Sequence, residues 1–341
     1  MAAAVTGTTF FGTGIPVQAE NEWIGDDQLT DAQVDAPAPD DVVPNDTQYK
    51  YQKDELAAFC HFGPNTFNNI EWGENYGDKA PSEIFRLEND FDAETLVKAV
   101  KDAGFKKLIV TAKHHDGFCI WQSGETEYDM GGVTYKDGKG DILEEISAAC
   151  TAENIDMGLY LSPWDIHEPS YGYYDENGKP TNAQGDVLDY NEFYNDQLKE
   201  ILGNDKYGNN GRFTEVWMDG AKGGGADAQE YNFELWNNTI QEYEPECMIF
   251  QCGAYTTVHW IGNENGLAAK DTWAKINVDD TTFYSNIQNG YALGFENGTK
   301  WSVPEADTKI TSGWFWGPNK KTPLSMESLS NIYFNSVGHN A

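Results

Sequence analysis

Five of the six histidines fall where a parallel α/β fold would place its chemistry. His61 follows the apolar run Leu56-Ala57-Ala58-Phe59-Cys60, and His114 and His115 follow Leu108-Ile109-Val110-Thr111-Ala112. His167 comes after Met157 to Leu161, and His259 after Met248-Ile249-Phe250. Each run reads as a buried strand, so these side chains should gather at the strand ends, where a barrel carries its site. Asp219 closes a further run, Glu215-Val216-Trp217-Met218, and Gly220 beside it permits close approach of a substrate. His339 alone needs a separate account.

Three chemistries could use such a face. Metal-assisted hydrolysis wants His and Asp ligands converging on one point. The adjacent pair His114-His115 speaks against it, because neighbours on a strand point to opposite faces. Nucleophilic catalysis by Ser lacks a Gly-x-Ser-x-Gly elbow. The five cysteines (Cys60, Cys119, Cys150, Cys247, Cys252) lack Cys-x-x-Cys spacing and read as structural. Glycoside chemistry needs two carboxyl groups beside the scissile bond and aromatic surfaces for the sugar's apolar face. Asp219 supplies one carboxyl, although an Asp that merely opens a loop turn reads the same. Trp72, Tyr160, Trp164 and Trp217 could wall a pocket, and the Gly-flanked run Trp314-Phe315-Trp316 is the better ligand candidate.

Positioning these residues takes strands and helices in alternation. Apolar periodicity predicts helices over 92–103, 141–153, 191–202 and 230–243, each between two strand runs. Gly104, Gly203 and Pro245 stop three of them. Strand–helix units in series predict an α/β fold. The lack of Gly-x-Gly-x-x-Gly after the first strand favours a TIM-like (β/α)8 barrel over a dinucleotide-binding sheet. Past Gly253 the pattern blurs, with short strand candidates near Trp273 to Ile276 and Trp301 to Val303 and a helix near Met326 to Phe334. A closed barrel would want its last strand about where the chain stops. The expectation is a catalytic barrel over residues 50–341, incomplete at its C-terminal end and cut from a longer protein.

Composition narrows the partner. Against 22 Lys+Arg stand 56 Asp+Glu, a net charge of −34, which repels phosphate backbones and anionic headgroups. No run of about 18 uncharged apolar residues exists either. Nucleic acid and membrane insertion are therefore not expected, and the partner should be neutral or cationic. Residues 1–19 end in Val17-Gln18-Ala19 and resemble the tail of a secretory signal peptide, with a disordered tail as the plainer alternative. Residues 20–49 are acidic, carry Pro37, Pro39 and Pro44, and read as a lead-in. A secreted or cell-surface bacterial protein is the expectation.

Four segments also carry a family resemblance. They are Cys60-His61-Phe62-Gly63-Pro64-Asn65-Thr66-Phe67, Thr111-Ala112-Lys113-His114-His115-Asp116-Gly117-Phe118, Tyr160-Leu161-Ser162-Pro163-Trp164-Asp165 and Val216-Trp217-Met218-Asp219-Gly220-Ala221. Together they resemble the α-L-fucosidases of glycoside hydrolase family 29, from about residue 50 to the C-terminus. The resemblance implies a retaining mechanism on terminal fucose, with Asp219 as nucleophile and a fucosylated glycan as substrate. It places His61, His114, His115 and Tyr160 at the fucose hydroxyls, Trp72 and Trp217 in the pocket, and Glu71 beside the sugar. In the subgroup acting on α-1,3 and α-1,4 linkages, the acid/base is the Glu of a motif matched here by Gly262-Asn263-Glu264-Asn265-Gly266. That makes Glu264 the candidate, with Glu305 in Trp301-Ser302-Val303-Pro304-Glu305 as a sugar contact or the acid itself. No cofactor and no metal is implied.

Physical chemistry adds conditions. The nucleophile must be ionised, which neighbouring imidazoles and the Trp217 N–H could favour. The acid must hold its proton near neutral pH, so Glu264 should sit in a drier setting. A carbohydrate-binding barrel without catalysis and a glycosidase for another neutral sugar remain as alternatives.

Overall fold

Side-chain oxygens start three of the longer helices: those of Asp92, Asp141 and Asn232 each accept the backbone N–H three residues on. The computed structural model describes residues 40–87, 91–172, 187–221, 229–277, 293–317 and 322–341. The leader expected over 1–19 and most of the lead-in over 20–49 lie outside the described residues.

The chain enters through α1 (Asp46–Asp54), β1 (Ala57–Cys60), α2 (Pro64–Asn68), α3 (Pro81–Ile84) and α4 (Ala93–Asp102). There follow β2 (Lys107–Lys113), α5 (Ile142–Glu153), β3 (Asp156–Leu161), α6 (Val187–Leu202) and β4 (Glu215–Trp217). Next come α7 (Phe233–Tyr243), β5 (Met248–Phe250), β6 (Val258–Trp260), β7 (Lys275–Ile276) and β8 (Lys300–Trp301). Last are β9 (Val303–Glu305) and α8 (Met326–Ser336). No helix among the described residues is long and apolar enough to cross a membrane.

Seven strands form one sheet in the order β1-β2-β3-β4-β5-β6-β9, and every neighbouring pair is parallel. Each crossover steps onward in the same sense. That is the winding of a barrel and not of a sheet whose strand order reverses. Among the described residues β1 and β9 are its two edges. Alternation along the strands sorts their side chains into two cores. Leu108, Val110, Leu159, Val216 and Ile249 pack with helix residues such as Val97, Ile146, Leu198 and Trp236. Ile109, Tyr160, Trp217, Phe250, Val258 and Val303 form a second cluster on the other face.

One strand escaped the sequence reading, and another was met only at its first residue, Val303. Val258-His259-Trp260 holds too few apolar residues to register as a run, yet it is β6, so His259 belongs to a strand and not to the loop expected. In β9, Pro304 lacks a ladder N–H and argues against a strand, but it is tolerated because β9 is an edge among the described residues.

The last residue of β2 puts a charge into this interior. Lys113 is fully buried, with Nζ 3.0 Å from Asp165 Oδ2 and 2.8 Å from Gln197 Oε1. Removing one partner of such a pair strands the other charge. Lys113→Met is expected to cost about 3–5 kcal/mol, read as a lowered urea midpoint with an unchanged denaturant slope.

Candidate active site

His114 and His115 follow β2 directly, beyond its last paired residue Lys113. Strand alternation does not extend to them, and their ring centroids lie only 4.1 Å apart. The expectation that they diverge is therefore wrong. His61, just after β1, lies 5.9 Å from His114 and 5.5 Å from Tyr160, centroid to centroid. His114 and Tyr160 stack at 11°. Three of the five histidines thus converge.

The other two do not join them. His167 stacks on Tyr128 at 3.6 Å, and buried His259 meets Ser302 Oγ at 3.0 Å through Nδ1. His339, the sixth, meets the Ala268 carbonyl at 2.9 Å.

Asp219 lies two residues past β4, beside this ring cluster. The Tyr160 hydroxyl donates to its Oδ2 at 2.7 Å and the Ala221 N–H to its Oδ1 at 2.6 Å. Burial raises its pKa, and those two donors oppose the rise. The carboxylate is held by neutral donors. The Trp217 N–H, expected at Asp219, instead reaches Glu305 Oε1 at 2.7 Å. Nor are the imidazoles cations: burial, then the neighbouring His114, holds His61 well below the usual histidine range, and burial, then His115, does the same to His114. His115 is pushed down to about 3 by burial, then by His61 and Lys113.

The polarity of His115 follows from its neighbours. Ser162 spends its only proton on the Trp164 carbonyl at 2.7 Å, so it must accept at 2.7 Å from His115 Nδ1–H. In neutral His115 the other nitrogen, Nε2, is then bare. It lies 3.6 Å from Asp219 Oδ2, two acceptors side by side. A ligand hydroxyl between them would find an acceptor on either side.

Aromatic rings wall this space. Trp314 stacks on His61 at 5.1 Å, and Phe315 lies edge-on to His61 and His114 at 5.3 and 5.0 Å. Trp164 lies 4.9 Å from His115 and Trp72 lies 5.8 Å from it. Of the Trp-Phe-Trp run, the first two rings enter the cluster and Trp316 is half exposed. Glu71 is exposed beside Trp72.

Glu264 is exposed and paired with Lys309, contrary to the dry setting expected of it. The carboxyl that burial pushes up to about 7 nearby is Asp307, which accepts the Trp260 N–H at 2.6 Å. Asp307 went unsingled in the sequence because its chemistry comes from burial, which spacing does not show. His114, His115 and Asp219 could also hold a metal, their ligand atoms lying within 4.8 Å of one another.

An acidic residue ringed by neutral imidazoles and aromatic walls at the ends of parallel strands defines the class: an α/β protein with a pocket of uncharged donors and acceptors at its strand ends. The alpha-L-fucosidase family model matches residues 27–340, and the chain belongs to that family. It is 40% identical over 310 residues to Alpha-L-fucosidase 1 of Arabidopsis thaliana, covering 89% of this chain and 55% of that protein. Among solved structures, a Ruminococcus gnavus GH29 fucosidase in complex with fucose is 66% identical with a TM-score of 0.83, covering 91% of this chain and 63% of that one. The crystal structure of SpGH29 is 42% identical with a TM-score of 0.80, covering 89% and 64%. The chain spans about half the length of the curated relatives it matches.

The tautomer of His115 is directly measurable. Long-range 15N NMR should show the Nδ1–H form, with no second proton added until the pH falls toward about 3. Ser162→Ala should mix the two tautomers. A free histidine titrating near 6.5 would refute the assignment.

Proposed function

We propose that the chain is the catalytic part of a retaining exo-α-L-fucosidase that releases α-1,3/1,4-linked terminal fucose from Lewis-type glycans. The observation that carries this reading is Asp219, held by Tyr160 and Ala221 beside three neutral imidazoles. In the reading, the sheet is the greater part of a (β/α)8 barrel. Export from a bacterial cell, suggested by residues 1–19, belongs to the same proposal.

Asp219 attacks the anomeric carbon as the glycosidic bond breaks, and the leaving oxygen takes a proton from Glu264. Glu264 then removes a proton from water, whose oxygen displaces Asp219 and frees fucose. Glu264 is exposed in the free chain, so the bound aglycone has to supply the desolvation that keeps its proton in place. The three imidazoles and Tyr160 exchange hydrogen bonds with sugar hydroxyls without any charge. Aromatic walls suit the methyl group of fucose and would leave the extra hydroxyl of another hexose unpaired. A carbohydrate-binding barrel without catalysis is the second reading, favoured by the exposure of Glu264.

Chromatography of sugar released from a Lewis-type trisaccharide and from a 2′-fucosylated oligosaccharide decides between them. Fucose is expected from the first alone, with a loss of at least about 10³-fold in Asp219→Ala. Release from neither sinks the enzymatic reading. The pH profile gives a separate check. Tyr160→Phe removes a donor that favours the Asp219 carboxylate, so its pKa rises further. The acid limb of kcat/KM should then move to higher pH.

A further inference from the structure

Glu305 ends β9 with both carboxylate oxygens engaged from inside the protein. Oε1 accepts the Trp217 indole N–H at 2.7 Å, and Oε2 accepts the hydroxyl of Tyr51, which belongs to α1. Tyr51 also lies 2.8 Å from Glu215 Oε1, and Lys107 Nζ is 2.6 Å from Glu215 Oε2. On the other side, the Trp217 ring stacks between Phe250, at 4.0 Å and 10°, and Tyr160, at 5.2 Å and 17°. Tyr160 holds Asp219. An unbroken series of contacts therefore joins α1 to the candidate nucleophile.

Counting protons shows why this interior group can hold together. Tyr51 owns one hydroxyl proton and touches a carboxyl group on each side. One contact is its own donation, to Glu305 Oε2, so the other needs a proton on Glu215. Two carboxyls, one Lys107 ammonium and one retained proton make a neutral set, which a buried site can accommodate. Burial, then the charge of Glu305, pushes Glu215 up to about 7, in the sense this count requires. A general acid needs a carboxyl oxygen free to meet the leaving group. Both Glu305 oxygens are turned toward donors of the protein, Oε1 to the Trp217 indole and Oε2 to the Tyr51 hydroxyl.

We propose that Glu305 is a positioning residue and not the acid/base. It fixes the Trp217 indole and, through Trp217 and Tyr160, the orientation of Asp219. Tyr51 and the Lys107–Glu215 pair anchor it in turn. The kinetic consequences rest on the fucosidase reading; the anchoring of Trp217 does not.

Three variants, Glu305→Ala, Glu305→Gln and Tyr51→Phe, test the inference by three readouts. These are the 15N-indole resonance of Trp217 (assigned with Trp217→Phe), fucose affinity by calorimetry, and kcat/KM on fucosides with good and poor leaving groups. The Trp217 resonance should move in all three variants. Glu305→Ala should weaken fucose binding about tenfold or more and lower kcat/KM by one factor for both leaving groups. Glu305→Gln keeps an oxygen for the indole N–H, so it should recover most of that loss. Tyr51→Phe, which removes only the anchoring hydroxyl, should show a smaller loss of the same kind.

A loss confined to poor leaving groups, with Gln as damaging as Ala, would make Glu305 the acid/base and overturn the proposal. A Trp217 resonance unmoved in Glu305→Ala or Tyr51→Phe would also overturn it. If the wild-type protein neither binds nor releases fucose, the fucosidase reading fails. The resonance still shows whether Glu305 holds the indole.

Discussion

A parallel sheet covered on both faces leaves little room for polar chemistry along its strands. Leu108, Val110, Leu159 and Val216 are spent on the helices, and Ile109, Trp217, Phe250 and Val258 on the opposite face. Polar side chains collect where the ladders stop. His61, His114, His115 and Asp219 all lie within two residues of a strand end. Even Tyr160, inside β3, uses its length to deliver a hydroxyl to Asp219. The position of the site is a consequence of burying the sheet.

The same burial sets the electrical character of the pocket. The chain carries a net charge of −34, yet the residues around Asp219 hold little formal charge of their own. Desolvation keeps the three imidazoles neutral, and it raises Asp219 while Tyr160 and Ala221 oppose the rise. Two of the lysines in the interior each come with an acid: Lys113 with Asp165, Lys107 with Glu215. Such a pocket offers hydrogen bonds by direction and not by charge, because a neutral imidazole has one donor and one acceptor and its tautomer decides which faces the pocket. Ser162 makes that decision for His115.

The first five strands were legible because each is an apolar run ending at a polar residue, and β5 was read to the residue over Met248–Phe250. Helices α4 to α7 were legible from periodicity and from stops such as Gly104 and Gly203, whereas α1, α2 and α3 were not singled out. Beyond Gly253 the strands are two or three residues long and, unlike the equally short β5, carry no unbroken apolar run. Strand β6, with a histidine at its centre, and β9, with a proline, carry patterns that contradict their state. Tertiary pairing overrode local preference in both.

Sequence alone determined which residues stand at the strand ends, since polar residues after apolar runs can be counted along the chain. Motif resemblance added the family. Orientation and dryness were left to the tertiary structure, because both depend on neighbours distant in the chain. It turned His114 and His115 to one side, took the Trp217 N–H from Asp219 and gave it to Glu305, 88 residues away. It also left Glu264 exposed and Asp307 half-buried, with its carboxyl pushed up by desolvation. A carboxyl's burial and partners are properties of the fold, and spacing along the chain carries no trace of them.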